Sequence, residues 1–247
     1  MRWDTRPSPN HDARPAGITV DMVILHYTGM ADEEAALQRL CDPEARVSAH
    51  WFVRESGEVV PLVDEDRRAW HAGVSSWAGR RDINACSVGI EIHNPGHDFG
   101  YPDFPARQIE AVIGLCREIV QRHPVPPHLV LGHSDVAPAR KVDPGEKFPW
   151  QLLHENGVGH WVAPAPRTEG QVIGPGETGE LVSALQGDLA DYGYGILRDG
   201  IYDHATEQVV AAFQRHFRPS SVDGRADVST RATLRRLLSA AAPRQIT

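Results

Sequence analysis

LVLGHSDVAPARKVDPGEKFPW, residues 129–150, decides how the rest of the chain is read. Its apolar opening, Leu129 to Leu131, has the make-up of a buried strand, and it breaks at Gly132 into a loop carrying His133, Asp135, Lys141 and Asp143. Pro138, Pro144 and Pro149 restrict the backbone and Gly145 follows Pro144, so the loop is expected to hold one shape. Residues two apart in an extended segment face the same way, which sets Lys141 and Asp143 on one side. An imidazole, a carboxylate and an ammonium group gathered at a strand end suit a metal-activated hydrolytic centre, provided another part of the chain supplies more ligands.

Working outward, 247 residues with 41% hydrophobic composition suffice for one large domain, or for a catalytic domain with a small appendage, and exclude disorder throughout. A formal net charge of −8 offers no electrostatic reason to bind nucleic acid or an anionic membrane surface, so neither is expected as a partner. Cys41, Cys86 and Cys116 are widely spaced and form no C-x-x-C pair, which argues against a disulfide framework and a thiolate zinc site. They read as small buried hydrophobes in a reducing compartment. Met1 to Gly17 lacks an apolar segment of the secretory kind and no run is long enough to span a bilayer. A cytoplasmic monomer is the expectation, with export by a non-classical route as the other possibility.

Upstream of the decisive stretch, an irregular polar arm leads into ITVDMVILHYT, residues 18–28, whose Val20 and Met22 to Leu25 predict a central strand ending at His26. Ala31 to Leu40 reads as a helix, and Val47–Val53 with Val59–Val63 as a hairpin around Glu55, Ser56 and Gly57, with His50 in its first arm. AWHAGVSSW, residues 69–77, has no period and reads as a loop. Ser87 to His93 alternates into another strand with Glu91 between Ile90 and Ile92, and Arg107 to Arg122 predicts a helix with a broad apolar face. Together these predict an α/β domain with a mixed central sheet flanked by helices. Beyond Trp161, Pro and Gly mark a flexible or extended linker, and Leu181/Leu185/Leu189, Val209/Val210/Phe213 and Leu234/Leu237/Leu238 mark three helices of a small all-α C-terminal domain. The expected division is an arm over 1–17, a catalytic domain over 18–162, a linker over 163–177 and a helical module over 178–240.

A hydrolytic zinc has three protein ligands and one open position, and His26, His133 and Asp143, each at or beyond a strand end, match that count. Taken singly, His26 reads better as a core histidine and Asp143 as a cap before Pro144, and only the motif taken whole reverses that preference. Glu91 reads either as a general base, its pKa raised by burial, or as a solvent-facing residue of a one-sided sheet. Alternation groups Gly89, Glu91 and His93 opposite the apolar set Val88, Ile90 and Ile92. Lys141 is one of only two lysines, with Lys147, among 25 basic residues, and its ammonium suits an oxyanion.

ILHYTG at 24–29, VSAHWFV at 47–53, AWHAG at 69–73, GIEIHN at 89–94 and GHSDVAPARKVDPG at 132–145 together resemble the type 2 N-acetylmuramoyl-L-alanine amidases. That superfamily includes the peptidoglycan recognition proteins and the phage lysozyme-like amidases. The resemblance implies that His26, His133 and Asp143 bind Zn2+, that Glu91 and Lys141 serve catalysis, and that His71 and Asn84 shape the peptide cleft while His50 is structural. Some relatives carry a tyrosine where this chain has Ala49, which sets it with the subgroup that uses Glu91 and Lys141. Residues 181–194, 199–214 and 223–234 resemble the three-helix peptidoglycan-binding domain through their Asp-Gly turns, the Leu185-Gln186 and Phe213-Gln214 pairs, and Thr206 and Thr230. The implied activity is hydrolysis of the amide between N-acetylmuramic or anhydro-muramic acid and L-alanine, in peptidoglycan or muropeptides. The alternatives are a zinc peptidase cutting within the stem peptide and a non-catalytic peptidoglycan receptor.

Overall fold

The computed structural model describes residues 6–241. The catalytic half contains, in chain order, β1 (His11–Ala13), β2 (Met22–Tyr27), α1 (Glu33–Cys41), β3 (Trp51–Val53), β4 (Val59–Pro61), β5 (Arg67–Ala69), α2 (Ile83–Cys86), β6 (Ser87–Ile92), α3 (Ala106–Arg122), β7 (Val130–Gly132), α4 (His133–Val136) and α5 (Trp150–Glu155). Its main sheet has the order β4-β3-β6-β2-β7, with β3, β6, β2 and β7 mutually parallel and β4 antiparallel at one edge. The sheet is therefore mixed, as expected.

Central strand β2 is apolar on both faces because both are covered. Val23 and Leu25, with Val88, Ile90 and Ile92 of β6, pack against Ile109, Val112, Cys116 and Ile119 of α3. Met22 and Ile24 point the other way, toward Ala72, Trp77, Ile83, Leu131 and Val136. Helix α1, started by Asp32 accepting the Ala35 N–H at 2.7 Å, lays Ala36, Leu37 and Leu40 on Phe52 and Val60.

The amino-terminal arm departs from the irregular segment expected. Residues 11–13 pair with β5 as a second, two-stranded sheet, and Arg14 donates to the carbonyls of Glu65, Asn84, Ala85 and Ser87. Those acceptors come from segments some 50 to 70 residues away, so no local pattern announces them. Residues 1–5 of the arm lie outside the described residues.

The C-terminal module is built from α6 (Glu180–Tyr192), α7 (His204–Phe217) and α8 (Val228–Ala241). Its core, Leu185, Leu189, Val210, Phe213, Leu234 and Leu237, is continuous with the Met22/Ile24 side of the catalytic sheet. The connecting segment is extended, as one of the two expectations had it, but it is pinned rather than flexible. Ala165 donates its N–H to Thr233 Oγ1 and accepts from Ser229 Oγ, and Ile173 exchanges both backbone hydrogen bonds with Ala226.

Candidate metal centre and active site

Strand register assembles the site. In the parallel β2–β6 pair His26 stands opposite Glu91, and the β2–β7 pair ends at Leu25 opposite Gly132, so His133 follows immediately beside His26. Three parallel strands thus deliver His26, Glu91 and His133 to one edge, outside their carboxyl ends, where open α/β sheets place their sites. His26 and Glu91 share the sheet face opposite α3, which is the alternation expected of Gly89 and Glu91. The segment after Gly132 is not a plain loop: residues 133–136 form one buried helical turn. Ser134 in that turn donates its N–H to the Asp143 carbonyl at 2.9 Å, bringing the third residue back to the first two.

His26 Nδ1, His133 Nδ1 and Asp143 Oδ2 form a triangle with edges of 2.9, 3.1 and 3.3 Å. Ligand atoms of a tetrahedral zinc with bonds of about 2.0–2.1 Å stand roughly 3.3–3.4 Å apart, so the triangle is close to the size such an ion requires. The ring protons make the stronger case. Ser87 Oγ spends its proton on the Ile83 carbonyl at 2.6 Å, so it accepts from His71 Nε2 at 3.1 Å. His71 Nδ1 is then the acceptor for His26 Nε2 at 3.1 Å, which leaves the His26 Nδ1 lone pair facing the triangle. His133 Nε2 donates to the Ala72 carbonyl at 3.1 Å, and its Nδ1 is left in the same state. Two imidazole lone pairs and a carboxylate converge, an arrangement that a cation relieves.

Electrostatics agree. Burial and the neighbouring His133 push His26 down to about 4, and burial with the surrounding imidazoles pushes His71 well below its ordinary value, so both rings are neutral near pH 7. Burial opposes the charge on Asp143, yet His133 and His26 hold its carboxyl below the usual carboxylate range. Burial, and then Asp143, push Glu91 well above it, against the pull of Lys141. Its Oε2 is shielded and has no hydrogen-bond partner among the described residues.

Glu91, Lys141, His133, Asp143 and His71 line one cavity of about 340 Å³, together with Tyr27, Gly29 and Met30. Of the two expected cleft residues, His71 lines the cavity and Asn84 stands behind it. Asn84 does not line the cavity; its Oδ1 accepts the N–H groups of His71 and Ala72 at 3.1 and 2.7 Å and so holds their loop. His71 reaches the cavity but spends both ring nitrogens on His26 and Ser87, and Gly89 is required beneath it because a Cβ there would meet the ring at 2.4 Å. His50 is structural: fully buried and pushed down to about 3 by burial, its Nδ1 accepts from Gly89 N–H at 2.9 Å. Sequence reasoning passed over Tyr27, whose hydroxyl meets His97 Nδ1 at 2.9 Å while His97 Nε2 meets Glu146 at 3.2 Å. Its position directly after His26, at a strand end, was the available signal.

On this mixed α/β sheet, two imidazoles and a carboxylate that could hold a metal ion converge beside a partly buried glutamate, the make-up of a hydrolytic centre. The chain belongs to the N-acetylmuramoyl-L-alanine amidase family, whose model matches residues 16–146, and a peptidoglycan binding domain matches residues 178–234. It is 36% identical to the N-acetylmuramoyl-L-alanine amidase AmiD of Escherichia coli over 95% of this chain and 87% of AmiD. The solved complex of that enzyme with the substrate anhydro-N-acetylmuramic acid-L-Ala-D-γ-Glu-L-Lys superimposes with a TM-score of 0.78 at 33% identity, covering 92% of this chain and 91% of that one. AmpDh3 of Pseudomonas aeruginosa gives 0.74 at 32% identity over 93% and 96%. The shorter 1,6-anhydro-N-acetylmuramyl-L-alanine amidase AmpD of E. coli is 37% identical over 58% of this chain and 86% of its own length.

Proposed function

We propose that this amidase is zinc-dependent and cuts the bond between the lactyl carbonyl of N-acetylmuramic or anhydro-muramic acid and the L-alanine of the stem peptide. The observation that carries the reading is the triangle of His26, His133 and Asp143 with both ring protons turned outward. Zinc held there supplies a Lewis acid for the amide carbonyl and acidifies water. The Glu91 carboxylate takes the proton of the attacking water, and its raised pKa suits it to return that proton to the amide nitrogen as the C–N bond breaks. The Lys141 ammonium donates to the oxyanion of the tetrahedral intermediate. The placement of Glu91 and Lys141 in the lining of one cavity supports both roles.

The substrate class follows from the relatives: AmiD was solved with an anhydro-muramyl tripeptide and AmpDh3 with an anhydromuramic pentapeptide. The module over 178–234 would hold the enzyme on wall polymer and raise the local substrate concentration. The described residues contain no helix long and apolar enough to cross a membrane.

The test is incubation with anhydro-muramyl tripeptide followed by mass spectrometry. Intact tripeptide and free anhydro-muramic acid are expected, with activity lost in exhaustive chelator and restored by zinc. Fragments of the stem peptide would make the chain a peptidase, and full activity in chelator would remove the metal from the mechanism.

A further inference from the structure

Asp135 lies two residues beyond His133 and is completely buried. A carboxylate in that position is costly unless its oxygens are matched by donors. One donor is local, the Gly132 N–H at 2.8 Å from Oδ2. The other two come from the C-terminal module: Tyr194 OH donates to Oδ1 at 2.7 Å, and His216 Nδ1 stands 2.7 Å from Oδ2. Tyr194 and His216 are themselves 2% and 3% exposed, and the His216 ring stacks on Trp150 at 3.7 Å.

The turn that Asp135 anchors touches two residues of the metal triangle. It contains His133, and its Ser134 N–H holds the Asp143 carbonyl. Its last residue, Val136, accepts from Ser76 N–H at 2.8 Å, so the turn is gripped at both ends. We propose that the C-terminal module is a structural part of the metal centre: through Tyr194 and His216 on Asp135 it positions the turn that carries His133 and tethers Asp143. Tyr194 and His216 are positioning residues. They act through Asp135 and touch neither metal nor substrate, and the module thereby serves chemistry as well as polymer binding.

This inference rests on the metal reading above, and the experiment separates the two. Full-length wild type, Tyr194→Phe, His216→Gln and Asp135→Asn are compared by zinc affinity in chelator competition and by the visible spectrum of the cobalt-substituted protein. Tyr202→Phe is the control, because its hydroxyl bonds the Gly224 carbonyl inside the module, away from the catalytic half. Tyr194→Phe and His216→Gln are expected to weaken zinc binding by about tenfold and to alter the cobalt spectrum, as loss of outer support for a ligand does. Tyr202→Phe lowers the unfolding temperature without either change. Should Asp135→Asn fail to fold, the two milder variants decide. Equal zinc affinity and equal cobalt spectra in wild type, Tyr194→Phe and His216→Gln would overturn the inference and leave the contact as docking alone. Wild type that binds no zinc better than His133→Ala would instead overturn the metal reading.

Discussion

Protons settle the division of labour at the residue scale. The hydrogen-bond chain from the Ile83 carbonyl through Ser87 and His71 to His26 fixes one ring nitrogen of His26 as donor and leaves the lone pair of the other facing the triangle. His71→Ala breaks that chain and is expected to cost roughly 10–100-fold in zinc affinity, measured by chelator competition. Glu91 stands near the triangle without belonging to it. Glu91→Gln keeps shape and hydrogen bonding but removes the base, so bound zinc stays near one per chain while kcat falls by a factor on the order of 10² to 10⁴. Zinc lost from that variant, in metal analysis of the purified protein, would make Glu91 a ligand or its direct support. Lys141→Ala likewise retains zinc and loses kcat more than it raises KM, because an oxyanion donor is most valuable in the transition state.

Polar hubs lock the helices and strands at the scale of the elements. Gln186 and Gln214 are the same device used twice. Gln186 Nε2 donates to Asp199, the Ile201 carbonyl and Thr206, and Gln214 Nε2 to Asp223, the Arg225 carbonyl and Thr230, so each glutamine braces an Asp-Gly turn against the next helix start. The recurring Gln, Asp-Gly and Thr signals of the sequence are these two hubs. In the catalytic half Glu65 plays a comparable part, accepting from Trp51 Nε1 at 2.8 Å and Arg122 at 2.8 Å and meeting His123 at 2.6 Å, which ties the start of the β3 hairpin to the end of α3. Burial would raise the Glu65 carboxyl, but Arg122, His123 and Trp51 together hold it below its ordinary value of 4.5. A folded-state pKa depressed in this way stabilises the chain fully above that value, and the stabilisation fades as pH falls through the folded pKa. Glu65→Gln is therefore expected to cost about 1–3 kcal/mol in urea unfolding at pH 7. The gap to wild type should narrow below pH 4.5, and a gap independent of pH would remove the charge from the account.

At the scale of the whole molecule, the two halves share a core in which Trp77 of the catalytic half packs among residues of the module. It is 1% exposed, its ring stands edge-on to Tyr194 at 4.8 Å and Tyr192 at 6.0 Å, and Ala78 N–H bonds the Gly193 carbonyl at 2.7 Å. Gly193 is required there, since a Cβ would meet the indole at 2.4 Å on a backbone with φ +137°. Trp77→Ala is expected to cost roughly 3–5 kcal/mol. In calorimetry it should split a single cooperative transition into two, one for each half; a single transition at unchanged temperature would show that the contact carries no coupling.

Local pattern reaches as far as periodicity does. The strand runs over Met22 to His26 and around Leu129 to Leu131, the apolar stripe of α3 and the three module helices were legible, because alternation, apolar runs and Gly breaks are properties of neighbours in the chain. Tertiary structure alone decided the partners. His71 became the support of His26 because the ring stacks over Gly89 in a neighbouring strand, Asn84 became a brace behind the loop because α2 tucks it there, and the segment expected to be flexible or extended became a strap along α8. Asp135 and His216, 81 residues apart, meet through the docking of one folded surface on another. A hydrogen bond at that separation is set by register and packing, which no window of sequence contains.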